Sequence, residues 1–518
     1  MDQSPRHGGL RRALGLSLAA AALYVLAFPP YDLGLLAALA PLPIALMLLD
    51  PGRTLRPRDT LFAGLLFGVL TSVGVTGPWI FYAANEFFAA SVVLSLLFTA
   101  FVTFTHVAVF FAAIVVCSSR FARLPPLWRG LALASVWVSW EFARSHWFYG
   151  CPWDMLGHAF YRRPLLIQAA DLGGVWILSW VAVATSAALA SAFIERARRR
   201  VAVGCLALAF SLTLALLGYG AYALQREASL DGGTPLEPLR VGLVQGNIGR
   251  HALWRPSLKL EHLELYVELS RSPALAGADL IVWPESSVPF FLDTHPEAQL
   301  RISDLARDSD AGVIAAGPRS EDRGDGRARI FNSVYFFAPA ATSWQTYDKI
   351  HLLPYIEFLP AWASVFAAPP DAVSYQPGRA LVMFENKGWK LAPLVCLEAI
   401  FPWYAREYVR QGANLLINVS NDSWFEAGGG AEQHFAMAVF RAVETRTPLL
   451  RVASTGVSGS IDSRGRIVET LPLRSAEVRL VTVRPGSGRS VYAWLGDGFA
   501  WLAVVVAALS VAVSLRQR

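Results

Sequence analysis

The sequence predicts a bundle of transmembrane α-helices joined to an extramembrane α/β domain, and three observations carry that prediction. The 518 residues are 54% hydrophobic and only 16% charged, with a mean hydropathy of +0.41. Such a chain is too apolar for an ordinary soluble protein and long enough for more than one domain. Apolar blocks of bilayer-crossing length, about 17–25 residues, recur through the first 225 positions. Beyond position 239 the pattern changes to short apolar runs alternating with amphipathic stretches, the signature of strands and helices in layers. The net charge of +6 does not point to nucleic acid, because the arginines punctuate the hydrophobic blocks instead of gathering on one face.

Taken in order, the expected spans cover residues 14–28, 33–49, 61–82, 87–117, 127–142, 172–194 and 201–223, about seven in residues 1–225, with one more at 499–515 inside a C-terminal piece, 489–518. Every second loop is basic: Arg6, Arg11 and Arg12; Arg53, Arg56 and Arg58; Arg120, Arg123 and Arg129; Arg196 and Arg198 to Arg200; Arg516 and Arg518. Lys and Arg accumulate on the cytoplasmic side, so this alternation predicts both termini in the cytoplasm and the hydrophilic segment outside. The loop 144–163, with three arginines, departs mildly from the rule. A basic start followed by an apolar run also suits a signal peptide, but no small-residue cleavage site follows, so the first block is expected to be a retained helix. Glu141 and Arg144, three apart at the end of the fifth span, are spaced to pair; a purely structural anchor fits them equally.

A polar linker is expected at 226–238, and a catalytic domain at 239–488. Strands are expected at 239–245, 280–282, 312–316, 333–337, 391–395, 415–419, 449–453 and 458–461, and helices at 257–270, 296–308, 402–411 and 432–445. Such alternation argues for a layered domain that one core can fill.

Within it, three residues stand where a strand closes or a Pro-marked turn begins. Glu285 follows the apolar run Leu280-Ile-Val-Trp283; Lys349 opens a turn toward Pro354; Cys396 ends the run Lys390-Leu-Ala-Pro-Leu-Val395. A thiol at the tip of a buried strand is held rigidly and can face a cleft, as covalent catalysis requires. Singly, each fits a bland role: a capping carboxylate, a solvated lysine, a core cysteine. The four cysteines, Cys117, Cys151, Cys205 and Cys396, have no CxxC or Cys/His spacing, so neither a metal centre nor a disulfide framework is expected, and no dissociable cofactor is suggested.

The ordered set Trp283-Pro-Glu285, Tyr347-Asp-Lys349 and Val395-Cys-Leu-Glu398 resembles the nitrilase, or carbon-nitrogen hydrolase, superfamily. Nearly end to end the chain resembles the apolipoprotein N-acyltransferase family, through Phe28-Pro-Pro30, Gly150-Cys-Pro-Trp153, Val244-Gln-Gly-Asn-Ile248, Asn418-Val-Ser-Asn-Asp-Ser-Trp-Phe425, Gln433-His434 and Pro448-Leu-Leu-Arg451. The resemblance implies a nitrilase-like α-β-β-α sandwich with a Glu-Lys-Cys triad. Glu285 would be the general base, Lys349 the stabiliser of thiolate and oxyanion, and Cys396 the nucleophile. Glu357 would orient Lys349 or the base and Glu398 would support the nucleophile; both also fit surface acids. It further implies transfer of a fatty acyl chain from a membrane phospholipid, through a Cys396 thioester, to the α-amine of a diacylglyceryl-cysteine on an apolipoprotein. The site would belong to a monomer in a bacterial inner membrane, with the catalytic domain periplasmic. Three positions depart from the family pattern: Leu397 where an aromatic is common, Glu426 for Gly, and Ser454 for Asn.

The apolar, Pro-punctuated stretch 355–368, with Phe358 and Trp362, reads as a lid or substrate contact that dips into the bilayer surface, and equally as sandwich core. Trp254 is similar to a family residue near the substrate entrance, and equally fits packing. A membrane-tethered amidase or nitrilase using water is the nearest rival; a transporter with a sensing domain would place more ionisable residues in the spans than this chain has.

Overall fold

The computed structural model describes residues 6–53, 55–87, 90–226, 236–249, 255–322, 328–359, 374–425 and 427–517. Trp254, Trp362, Glu426 and most of the expected linker and lid fall outside these residues. The chain forms two compact units, one of Met1–Glu227, Phe425–Phe440 and Ser490–Arg518, the other of Ala228–Trp424 and Arg441–Arg489. Residues Phe425–Phe440, inside the stretch expected to be catalytic domain, thus pack with the helical unit.

Among the described residues of the helical unit six helices are long and apolar enough to cross a membrane: Gly9–Ala27, Pro57–Val75, Val92–Arg123, Val175–Ile194, Arg199–Gln225 and Gly498–Arg516. The expected second span is two short pieces, Gly34–Ala38 and Pro41–Leu48. Pro41 and Pro43, which have no N–H to give, start the second piece anew. The expected fifth span is one helix, Pro126–His146, and its Arg129, Glu141 and Arg144 are buried. Arg129, counted above with a basic loop, lies inside that helix. Its guanidinium pairs with Glu195 at 2.9 Å and also donates to the carbonyls of Leu124 and Leu49.

Glu141 and Arg144 are not bound to each other. Glu141 Oε1 accepts from Trp137 Nε1 and the Leu156 N–H, and Arg144 Nη2 donates to the Trp153 carbonyl, so both tie down the loop 153–156. Helix Pro57–Val75 runs so close to its neighbour that a side chain at Gly68 would meet the Ala108 carbonyl at 2.4 Å, the close approach that small residues permit in membrane bundles.

Gln433 joins four separated parts of this unit. Its Nε2 donates to the carbonyls of Pro29 at 2.7 Å and Val75 at 3.0 Å, while its Oε1 accepts from the indoles of Trp153 at 2.8 Å and Trp79 at 3.2 Å. An apolar replacement strands these groups, and an unsatisfied buried donor or acceptor costs about 1–3 kcal/mol. Gln433→Leu is therefore expected to lower the thermal midpoint of the full chain in detergent by several degrees; an unchanged midpoint would remove the glutamine from the list of what holds the helices.

The described residues of the second unit form two six-stranded sheets. One contains β1 (Leu239–Gln245), β2 (Leu280–Val282), β3 (Gly312–Asp322), β4 (Ala328–Phe337), β5 (Gln345–Asp348) and β12 (Glu477–Val483) in the order β12-β1-β2-β3-β4-β5. The other contains β6 (Phe384–Asn386), β7 (Trp389–Val395), β8 (Leu415–Ser420), β9 (Leu449–Ala453), β10 (Gly459–Ile461) and β11 (Ile467–Thr470) in the order β11-β10-β9-β8-β7-β6. Each has a parallel trio at its centre, β1-β2-β3 and β7-β8-β9, with antiparallel strands outside. Strands buried on both faces read as continuous apolar runs, which is how the sequence writes these trios.

Helices Lys259–Ser270 and Pro296–Ser309 cover the first sheet. Their Leu263, Tyr266, Val267, Ile302 and Leu305 enter one core with Ile281, Val313 and Tyr335 of the strands. Helix Pro402–Arg410 follows β7 after one short turn, Cys396–Ile400. The architecture is the α-β-β-α sandwich expected.

Candidate active site

Ligands of α/β sheets gather at the carboxyl ends of parallel strands, and there this unit collects its unusual residues. Glu285 lies three residues after β2, Cys396 begins a 3-10 turn (Cys396–Ile400) directly after β7, and Lys349 directly follows β5. Backbone strain marks the spot. Cys396 has φ +50° and Ser286, next to Glu285, φ +60°, a region that costs a non-glycine residue about 1–3 kcal/mol and persists only where the surroundings enforce it.

Lys349 and Glu285 meet in one buried cluster with Glu357, and the buried Cys396 lies close enough to feel the charges of Lys349 and Glu285. Lys349 Nζ lies 2.8 Å from Glu357 Oε2 and 3.6 Å from Glu285 Oε1. Asn332 Nδ2 donates to both carboxylates, at 2.8 Å to Glu285 and 2.7 Å to Glu357. The second Glu285 oxygen accepts the Asn421 N–H at 2.9 Å, and the second of Glu357 accepts that of Leu353 at 2.7 Å. Lys349 is 1% exposed, Cys396 3%, and Glu285 and Glu357 6% each, so water hardly screens these charges.

Electrostatics follow from that arrangement. Burial raises the pKa of Glu285; the Lys349 ammonium opposes this and Glu357 adds to it. Burial works against the Lys349 ammonium, but Glu357 and Glu285 outweigh it and hold its pKa above the usual lysine value. Burial and then the Glu285 charge push the Cys396 thiol up, against the pull of Lys349. The thiol is therefore neutral at rest, beside a carboxylate with unusual affinity for its proton, and the cation has no reason to lose its own.

Glu398 plays a part that spacing did not reveal. Its Oε1 accepts from Tyr347 Oη, Ile350 N and His351 N at 2.8, 2.8 and 3.1 Å, and its Oε2 from Val395 N at 2.8 Å. The donors flank Lys349 on one sheet and precede Cys396 on the other, so one fully buried carboxylate fastens the lysine's segment to the cysteine's. Burial raises the Glu398 pKa, against the backbone donors and Lys349. Glu398→Gln keeps the shape but turns a donor toward N–H groups, at a cost of about 1–3 kcal/mol. A lower thermal midpoint with a partial loss of activity is expected; full activity at full stability would show the fastening to be dispensable.

Of the residues proposed from sequence, Glu285, Lys349, Cys396, Glu357 and Glu398 come together. Phe358 is half-buried, and its carbonyl accepts the Tyr355 N–H at 2.8 Å within a small turn. Leu397 is buried, and Ser454 Oγ donates to the Ile248 carbonyl at 3.1 Å, holding the end of the first strand's loop. Sequence reasoning missed Asn332, which links the two acids. Its signal was its place within β4, between the buried Phe331 and the run Val334–Phe337, where an amide has no packing role. Among the described residues no group of His, Cys, Asp and Glu has the arrangement of a metal site.

Residues 240–493 match the carbon-nitrogen hydrolase family, and residues 20–188 match the apolipoprotein N-acyltransferase N-terminal domain. The chain is 34% identical over 525 residues to an apolipoprotein N-acyltransferase of Geobacter metallireducens, covering 98% of this chain and 96% of that one. This chain belongs to the apolipoprotein N-acyltransferase family. The namesake proteins of Pseudomonas aeruginosa, 33% identical over 92% of this chain and 91% of theirs, and of Azotobacter vinelandii, 32% over 95% and 93%, are similar throughout as well. Among solved structures, an amidase from Nesterenkonia sp. aligns at 17% identity and a TM-score of 0.39, covering 52% of this chain and all of that one. Membership in this family, with its N-terminal domain and the apolar helices, makes the chain a membrane protein and an N-acyltransferase in kind.

Proposed function

We propose that this protein N-acylates lipoproteins through a covalent intermediate on Cys396, with Glu285 as general base and Lys349 as the electrostatic partner. The observation that carries the reading is the buried cluster of Cys396, Glu285, Lys349 and Glu357 at the strand ends of a hydrolase-type sandwich, in a chain similar over nearly its whole length to N-acyltransferases.

In the first step Cys396 Sγ attacks an ester carbonyl of a membrane phospholipid while Glu285 takes the thiol proton. The raised thiol pKa disfavours a free thiolate, so proton removal and attack go together. The tetrahedral oxyanion forms beside the Lys349 ammonium, which Glu357 keeps charged and in place. The C–O bond breaks, Glu285 returns the proton to the leaving oxygen, and a lysophospholipid departs from a Cys396 thioester. In the second step the neutral α-amine of a diacylglyceryl-cysteine attacks the thioester; Glu285 takes an amine proton and delivers it to the departing sulfur. The amide leaves and the thiol is restored. The alternating basic loops support cytoplasmic termini with the catalytic domain on the opposite, periplasmic side, and the bacterial relatives support an inner membrane.

The test separates transfer from hydrolysis. Protein incubated with phospholipid micelles should gain one acyl mass that persists in water and is discharged when a diacylglyceryl-cysteine peptide is added. Discharge at the same rate without the peptide would favour a water-using hydrolase.

A pH dependence follows. Glu285 works as a base only when ionised, and its pKa lies above the ordinary glutamate value. The acylation rate should therefore fall as pH drops through that raised value, well before an ordinary carboxylate would protonate. A pH–rate profile that stays flat down to about pH 4.5, the usual range of a glutamate, would remove Glu285 from the base role.

A further inference from the structure

Beneath the nucleophile lies a second buried network that the proton transfers do not use. Leu394, Asn418 and Arg451 stand side by side on β7, β8 and β9. Arg451, fully buried, donates through Nη2 to both oxygens of Asp422, at 2.8 and 2.7 Å, and through Nη1 to Asn418 Oδ1. Asn418 Nδ2 in turn donates to the carbonyls of Leu394 at 2.9 Å and Cys396 at 3.2 Å. Asp422 also accepts from Ser420 Oγ at 2.8 Å.

A guanidinium has donors only, so it dictates the orientation of the amide: oxygen toward Arg451, NH₂ toward the two carbonyls. Cys396 sits at φ +50°, a conformation that something must hold. In a trans peptide the carbonyl and the following N–H point to opposite sides. Anchoring the Cys396 carbonyl on Asn418 therefore sends the Leu397 N–H the other way.

We propose that Asn418 and Arg451 are positioning residues for acyl transfer: by fixing the Cys396–Leu397 peptide they aim the Leu397 N–H at the oxyanion of the tetrahedral intermediate, opposite the Lys349 ammonium. The inference rests on Cys396 as the nucleophile. Asp422 supplies the counter-charge that lets a guanidinium lie there fully buried.

Two variants of the full-length protein test it. Asn418→Asp keeps the volume and the Arg451 partner but has no proton for the two carbonyls. Arg451→Lys keeps a cation for Asp422 but loses the planar fork that sets the amide. Two rates are read per folded molecule: single-turnover thioester formation from phospholipid, and alkylation of Cys396 by iodoacetamide, which needs the thiol but builds no oxyanion. A misaimed oxyanion donor should slow thioester formation by about tenfold to a hundredfold and leave alkylation nearly unchanged. Thioester formation at the wild-type rate overturns the proposal, and so does a parallel fall in both rates, which would mean a displaced sulfur. Cys396→Ala is the control: an acyl adduct that survives there breaks the nucleophile assignment instead.

Discussion

Cys396→Ser will leave the protein folded and unable to accumulate an acyl group. The exchange replaces one polarisable sulfur by a smaller oxygen at a site 3% exposed, a change in the usual range of about 1 kcal/mol. The chemistry loses far more. A hydroxyl is a weaker nucleophile than a thiol, and Glu285 beside it offers a carboxylate where serine enzymes use an imidazole. Loss of a nucleophile that works as a unit with its base costs about 10⁴-fold or more. Intact-mass measurement after incubation with phospholipid should show the acyl adduct on the wild-type chain and none on the variant. An adduct at wild-type level on Cys396→Ser would move the nucleophile elsewhere.

Lys349→Met should damage both chemistry and stability. The ammonium is the cation between Glu285 and Glu357, at 3.6 and 2.8 Å, and all three are buried. Removing one partner of a buried ion cluster leaves uncompensated charge, at about 3–5 kcal/mol. Removing an oxyanion donor slows acyl transfer by about a hundred- to a thousandfold. The two losses part company with pH. Glu285 already has a raised pKa, and without Lys349, which lowers it, the value rises further. A carboxylate whose folded pKa is raised above its unfolded value destabilises the protein fully above the folded pKa, and that cost fades as pH falls from there to the unfolded value. The stability gap between variant and wild type should therefore narrow as pH falls through the raised Glu285 pKa, while acyl transfer stays lost. Thermal midpoints and thioester rates across that range check both; a gap that widens on acidification would mean the carboxylates are not the source of the cost.

The strands that sequence periodicity found and those it missed divide by position. The central trios, β1-β2-β3 and β7-β8-β9, were legible because each is buried on both faces and written as a continuous apolar run. The four strands not anticipated, β5, β6, β11 and β12, are the outermost strands of the two sheets. Edge strands carry polar residues, as in Gln345-Thr-Tyr-Asp348 and Ile467-Val-Glu-Thr470, and an apolar-run criterion passes over them. Among the helices, the second expected span had the composition of a membrane helix, but prolines divide it.

Sequence alone determined that this chain has a helical membrane part and a layered α/β part, and it singled out Glu285 and Cys396 where apolar strands end and Lys349 where a Pro-marked turn begins, a pattern that becomes specific only as an ordered set. Tertiary structure decided what those residues can do. Asn332 between two acids, Glu398 fastening the lysine's segment to the cysteine's, and Arg451 setting the Asn418 amide all depend on hydrogen bonds between residues far apart in the chain. Burial, charge coupling and bond direction are set by distance in space, and spacing along a sequence does not encode it.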